Sequence, residues 1–282
     1  MPELPEVETV VRTLEHQLQH VSILDCKVLW DNIIAYPDVS TFTKLIKGKT
    51  IHSYSRHGKY LMFDLGEYMW IVHLRMEGKF YVMQQNTPIN KHTHVVFSLN
   101  DGRELHYNDT RKFGKMYLYE KQETIEEYPC FKKIGYDVFD ERLNAQYLYR
   151  LLHKKPSVLK AVLLDQNIMA GIGNIYADEI CFAMKMHPET KISHLRKKDF
   201  EELLYQARRI LSGAIAAGGT TIRSYTSSLG VDGRFQLKLK VHAKKGEKCL
   251  VCQSEIKKIV VAGTRNLLLS DMPAKTIEKN RI

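Results

Sequence analysis

The sequence predicts an α+β chain: a β-rich N-terminal part opened by one helix, a helical middle, and a small C-terminal β-hairpin. Three observations carry this. Apolar residues recur at helical spacing at the very start and again from about residue 140. Between those stretches the apolar runs are short or alternating, as in strands. After residue 234 the pattern returns to that of strands.

Val7, Val10, Leu14 and Leu18 fall on one face of a helix, so residues 3–19 read as one amphipathic helix. YLMFDL (60–65), MWIVHL (69–74) and HVVFSL (94–99) read as strands. In VVFSLNDGRELHY (95–107), Asn100-Asp101-Gly102 lies between two alternating runs and marks a hairpin. DERLNAQYLYRLL, SVLKAVLLDQ and DFEELLYQARRILSGAIAAGG read as helices. In the last, Asp199 is the candidate N-cap, Glu202 its capping-box partner and Gly218 the stop. RFQLKLKVHA and KIVVAGTRNLLLS read as strands with a turn near Gly263, and no repeat or low-complexity stretch interrupts the pattern.

The 282 residues are 44% hydrophobic and 26% charged, enough for a sizeable core and unlike a disordered chain. No apolar run approaches the ~20 residues of a membrane span. The start, MPELPEVETV, has neither the cationic nor the apolar region of a signal peptide. Five scattered cysteines (26, 130, 181, 249 and 252) do not form a disulfide framework, so a reducing cytoplasm is expected. Residues 236–282 hold eleven Lys/Arg against four Asp/Glu, which places most of the net charge of +10 in a sixth of the chain. Such a basic lobe is the footprint of a polyanion binder.

Pro2 becomes a reagent if Met1 is removed. An α-amino group has a reference pKa of ~7.7–8.0, so part of it is neutral near pH 7 and able to attack a carbonyl carbon. Glu3 and Glu6 lie beside it in sequence as proton carriers, and Lys59 is a lone base ahead of an apolar strand. On these residues alone, a plain helix start with acids favouring the macrodipole is the stronger reading. Cys249 and Cys252 have the spacing of two zinc ligands, but a closed site needs two more.

The string MPELPEVETV resembles the start of the formamidopyrimidine-DNA glycosylases of the Fpg/Nei family. HGKYL, HLRMEGKF, KHTHVVF, DTRKFG, LLDQNIMAGIGNIYADE, GGTTIRSY and KKGEKCLVC resemble further motifs of that family, in order, from residue 1 to about 265. The resemblance implies an N-terminal β-sandwich carrying the N-terminal helix (1–134), a helix–two-turn–helix domain (135–233), a finger hairpin (234–272) and a basic tail (273–282). It implies duplex DNA bound between the two halves, excision of oxidised purines such as 8-oxoguanine and formamidopyrimidines, and strand cutting by β,δ-elimination. A bacterial cytoplasmic monomer acting on damaged double-stranded DNA, with no membrane partner, is the corresponding expectation.

Residue by residue, the resemblance makes Pro2 the nucleophile at C1′, Glu3 the acid/base group and Lys59 a phosphate contact that assists elimination. Met76, Arg111 and Phe113 match the set that fills the hole left by a flipped nucleotide. The types fit: Met is a flexible plug, Phe a wedge, and Arg a donor to cytosine O2 and N3. Asn174, after Gly171 and Gly173, matches a phosphate contact at a helix start. His92 and Lys155 match further phosphate contacts, Glu77 lies beside the plug, and residues 218–235 fall where the family has a mobile loop over the flipped base.

Arg265 matches a finger arginine, but Ser270 and Pro273 stand where the family supplies a second C-x-x-C. The expectation is therefore a retained hairpin with no cofactor and no zinc, Cys249 and Cys252 being an incomplete site. The same loss raises an alternative: a lesion- or abasic-site-binding protein with reduced turnover. Retention of Pro2, Glu3, Lys59 and Asn174 favours the enzyme, because a binder needs no nucleophile.

Overall fold

The computed structural model describes residues 1–220, 235–261 and 264–269, with 258–260 and 264–269 described in their backbone only. Two compact units are formed: residues 1–132 with 217–234, and residues 133–216 with 235–282.

In the first unit, helix α1 (Leu4–Gln17) begins at Glu3, whose carboxylate accepts the Glu6 N–H while the Glu6 carboxylate accepts the Glu3 N–H. This reciprocal capping box satisfies two donors that a helix start otherwise leaves open. The expected apolar face, Val7, Val10, Leu14 and Leu18, is buried. Strands β1 (Ile23–Val28) and β2 (Ile34–Tyr36), helix α2 (Val39–Ile46), and strands β3 (Ser53–His57), β4 (Tyr60–Asp64), β5 (Tyr68–His73), β6 (Gly78–Gln84), β7 (Thr93–Leu99), β8 (Arg103–Asp109) and β9 (Lys115–Glu120) follow. They make a four-stranded sheet β1-β7-β8-β6 and a five-stranded sheet β2-β9-β5-β4-β3. The β7–β8 hairpin turns at Asn100-Asp101-Gly102 as its sequence requires. The sheets form a sandwich whose centre is Trp70 of β5, stacked on Phe63 at 4.3 Å and lying 4.6 Å from Phe97 of the facing sheet.

The second unit contains β10 (Tyr136–Asp137), α3 (Ala145–Leu152), α4 (Leu159–Leu164), β11 (Met169–Ala170), α5 (Asn174–Ala183), α6 (Lys197–Ala216), and the antiparallel pair β12 (Ile256–Val261) and β13 (Thr264–Leu269). Two expectations are corrected here. Asp199 is not the N-cap of the long helix: α6 starts at Lys197, and Asp199 sits inside its first turn, accepting the Arg196 N–H at 2.7 Å. It plays the returning half of a capping box, while Glu202 instead accepts from Gln206 one turn on. Gly218 follows the helix with φ +74°, the left-handed stop that glycine allows.

The stretch RFQLKLKVHA is not a strand. Phe235–Lys238 is a 3₁₀ turn, and the next residues wrap a buried carboxylate. The backbone N–H groups of Lys240, Val241 and His242 all donate to Glu179 of α5, at 2.9–3.1 Å. Phe235, Leu239 and Val241 of its alternating set are buried, but Leu237 is exposed in the 3₁₀ turn, and the hydrogen bonds go to a side chain rather than to a ladder. No helix among the described residues is long and apolar enough to cross a membrane.

Candidate active site

Each unit carries one group of chemistry-bearing residues. In the first, Pro2 is half-buried immediately before the α1 cap. Glu3 and Glu6 are buried, and Lys59, in the β3–β4 turn, is only 6% exposed. Burial pushes the Lys59 ammonium below the ordinary lysine pKa, while the Glu3 and Glu6 carboxylates oppose that shift. The proline segment, two carboxylates and a desolvated lysine therefore converge at one helix start.

Glu6 has a further attachment that sequence reasoning missed. Its Oε1 accepts the Thr220 N–H and the Thr220 hydroxyl, both at 2.9 Å, while Oε2 holds the Glu3 N–H. Gly219, at φ +79°, approaches so closely that a Cβ would lie 2.9 Å from Glu6 Oε1. Glu6 thus ties the segment behind Pro2 to the entry of residues 221–234, which themselves lie outside the described residues. With both oxygens engaged by donors, it is a clamp rather than the proton carrier its position first indicates. The only available signal was the glycine pair before Thr220.

The three expected void-fillers meet on the surface. Met76 and Phe113 are 41% and 50% exposed, respectively, large apolar side chains left in water. The Arg111 Nη1 lies 2.8 Å from Met76 Sδ, and its guanidinium sits 4.8 Å from the centre of the Phe113 ring. Two turns hold this cluster. In the β5–β6 turn, Arg75 has φ +53° and its N–H donates to Nδ1 of the buried His73 at 2.9 Å. Burial, with Arg75 and Lys59 adding repulsion, lowers the His73 pKa to about 3, which keeps that nitrogen able to accept. Glu77, next in this turn, is exposed.

In the β8–β9 turn the organiser is Asp109, buried and absent from the expected set. Its carboxylate accepts the N–H groups of Arg111, Phe113 and Gly114 at 2.8–2.9 Å. Gly114 cannot carry a side chain, because a Cβ would stand 1.7 Å from the Tyr107 hydroxyl oxygen. The Asp-Thr-Arg order, an acid two residues before a donor, was the legible hint of such a turn. His92 is half-buried, and its carbonyl accepts the Asp109 N–H, so it borders the same turn.

In the second unit, Asn174 is exposed as the first residue of α5, after Gly173 as N-cap. Lys155 is exposed in the loop before α4. The residue of that region with internal partners is Lys160, fully buried and paired with Asp178, whose other oxygen accepts from His242 Nδ1 at 2.8 Å. Arg265 lies on β13, paired with Val260, and its side chain is outside the described residues, as is the tail from 270.

Cys249 and Cys252 by themselves supply two of the four ligands that a closed structural zinc site needs. Cys249 is buried with Val241 and Ile256, and its Sγ accepts the Val251 N–H at 3.3 Å. Cys252 is exposed, and the nearest His in sequence, His242, is committed to Asp178. Among the described residues no three His, Cys, Asp or Glu side chains are grouped to hold a metal.

Comparison with known proteins completes the picture. Residues 1–116 match the family model of the formamidopyrimidine-DNA glycosylase N-terminal domain, and residues 134–226 that of the formamidopyrimidine-DNA glycosylase H2TH domain. The chain is 44% identical to the formamidopyrimidine-DNA glycosylase of Bacillus anthracis over 93% of its own length and 95% of that protein. It is 43% identical to the Bacillus subtilis (strain 168) protein of the same name, with the same coverage. Among solved structures, it is similar to Lactococcus lactis Fpg bound to DNA with an abasic site, with TM-score 0.86 and 38% identity over 95% of this chain and 97% of that one. The wild-type Lactococcus lactis Fpg bound to DNA containing N7-benzyl-Fapy-dG gives TM-score 0.86 at 38% identity, again covering 95% and 97%.

Proposed function

Because the chain belongs to the formamidopyrimidine-DNA glycosylase family, we propose that its N-terminal proline amine carries out both base excision and strand cleavage at oxidised purines. The protein is a DNA glycosylase and abasic-site lyase of base-excision repair, acting on damaged double-stranded DNA. The observation that carries the proposed mechanism is the convergence of Pro2, Glu3 and the desolvated Lys59 at one helix start.

With Met1 removed, the Pro2 nitrogen attacks C1′ and the damaged base leaves with its bonding electrons. The sugar ring then opens as the C1′–O4′ bond breaks and O4′ takes a proton, and the iminium so formed at C1′ acidifies the C2′ proton. Its removal breaks the C3′–O bond, and a second elimination breaks the C5′–O bond. Glu3, beside the nucleophile, moves the protons; Lys59 contributes a base whose ammonium burial makes easier to deprotonate. Met76, Arg111 and Phe113 occupy the space vacated by the extruded nucleotide, with Arg111 donating to the cytosine left behind. Asn174, His92, Lys155 and Arg265 take backbone phosphates. No step uses zinc.

Borohydride trapping tests this. Protein with Met1 removed is incubated with a duplex carrying 8-oxoguanine opposite cytosine, reduced, and digested for peptide mass analysis. The expected product is one DNA adduct on the N-terminal peptide at Pro2. An adduct on a lysine would assign the nucleophile elsewhere. Binding without any adduct would favour the lesion-binding alternative that the missing thiolates raise.

A further inference from the structure

We infer that Trp30 contacts DNA: its indole, backed by the Lys112 ammonium, extends the Met76–Arg111–Phe113 plug onto the sugar–phosphate backbone beside the extruded nucleotide. The inference rests on the reading of the chain as a damaged-DNA glycosylase and assigns that surface a further contact.

The chain has two tryptophans, and they are used differently. Trp70 is fully buried at the centre of the sandwich, whereas Trp30 is 38% exposed just after β1, beside the equally exposed Leu29. A large aromatic left in water is the uncommon case, and aromatic side chains are favoured where one face meets a partner. Trp30 is not bare: the Lys112 Nζ stands 3.9 Å from the centre of its ring, a close cation–π contact.

The backbone explains how Lys112 gets there. It lies between Arg111 and Phe113, which contact each other, yet its own side chain goes to Trp30. It does so by taking φ +58°, a conformation that residues with a side chain seldom adopt. Its N–H donates to the Asp109 carbonyl at 3.3 Å, and that same carbonyl accepts from His94 Nε2 at 2.7 Å. The His94 carbonyl in turn accepts the Leu29 N–H at 2.8 Å. Trp30 and the plug are therefore fixed to one organiser, Asp109, which holds the plug through its carboxylate and the Trp30 side through its carbonyl.

The charge argues for a polyanion. Lys112 and Arg111 are exposed on this turn, and Lys115 caps the neighbouring Asn32 carbonyl. Asp31 is the exposed acid beside Trp30. An ammonium on an aromatic face matches one nucleotide of a backbone: phosphate to the cation, deoxyribose to the indole. Continuity with the plug places that nucleotide next to the gap rather than at a distant site.

Fluorescence reads this directly, because Trp70 is buried and Trp30 alone is open to a quencher. Acrylamide quenching is measured on the full chain with and without a duplex containing a tetrahydrofuran abasic analogue, while anisotropy of labelled DNA reports binding independently. The expected result is that DNA shields Trp30. Trp30→Ala should weaken binding roughly tenfold, within the range of one aromatic–nucleotide contact, and Trp30→Phe should restore most of it. Lys112→Ala should lower the slope of log affinity against log salt by about one. Binding by anisotropy with Trp30 equally quenchable, or with Trp30→Ala unchanged, would overturn the inference and leave the glycosylase reading intact. No binding of wild-type protein would overturn both.

Discussion

Replacing Asp109 with alanine should separate the two activities of the enzyme. The carboxylate is buried and accepts three backbone N–H groups at 2.8–2.9 Å, those of Arg111, Phe113 and Gly114. Hydrogen bonds to a charged group contribute about 1.5–3 kcal/mol each when their donors have no substitute. Arg111 and Phe113 are exposed, so their N–H groups can turn to water and most of their share is recovered. Gly114 is buried and cannot. The net loss is then about 2–3 kcal/mol, and it falls on the order of one surface turn rather than on the sandwich core. At about 1.4 kcal/mol per factor of ten, this lowers the ratio of plugging to other conformations of the turn by roughly 30- to 150-fold, the most by which the plugging population can fall.

That population matters most when a base must be extruded from an intact pair. Single-turnover excision of 8-oxoguanine opposite cytosine should therefore slow by up to that factor, and by at least about tenfold, in Asp109→Ala. Cleavage of a duplex that already carries an abasic site should fall by only a few-fold, because nothing remains to be pushed out. Asp109→Asn should lie between, since one oxygen can still serve the Phe113–Gly114 pair. Equal losses on both substrates would refute the reasoning and place Asp109 in general folding instead.

Lys59 makes stability depend on alkaline pH. Its pKa is lower folded than unfolded, so between its lowered value and the ordinary 10.5 the unfolded chain binds more protons, and stability from this site rises with pH. Lys59→Met should remove that rise; parallel Tm-against-pH curves for the two proteins would refute it. His73 has the same sign at acid pH: neutral when folded down to about 3, it withdraws stability as pH falls below 6.5, and His73→Phe should flatten urea midpoints measured between pH 6.5 and about 4. Asp178→Ala leaves Lys160 buried without its carboxylate and should cost about 3–5 kcal/mol in urea unfolding, more than removal of the Arg12–Glu8 pair of α1, whose arginine is exposed. Dialysis against a strong chelator should leave excision unchanged; activity lost and then regained with zinc would overturn the reading of Cys249 and Cys252.

What was legible in the sequence follows the length of each pattern. The sandwich strands and α1 repeat one period over several residues, so their faces could be read without a partner. RFQLKLKVHA repeats a period as well, yet it misled, because a pattern of burial does not say where the backbone hydrogen bonds go. Here they go to Glu179, about sixty residues away, and only the fold brings that carboxylate to them. The same limit governs the candidate site. Pro2, Lys59, Met76, Arg111 and Phe113 could be singled out because their types suit the chemistry and their motifs resemble a family. Asp109, Thr220 and the Lys160–Asp178–His242 chain act through positions that no local pattern announces.

Glu6 shows why this division is physical rather than accidental. As a residue of the first helical turn it has an ordinary reading, an acid near a positive dipole end. Its actual role needs Gly219 without a Cβ, Thr220 with a hydroxyl, and the backbone N–H of Glu3 turned toward it, three requirements from two distant parts of the chain. The groups that perform chemistry must be reactive in themselves, and reactivity is a property of residue type. The groups that hold them need only geometry, which common residue types supply wherever the chain folds back. A search by type therefore finds the nucleophile and the plug before it finds the clamps, and the clamps are where substitutions will separate positioning from reaction.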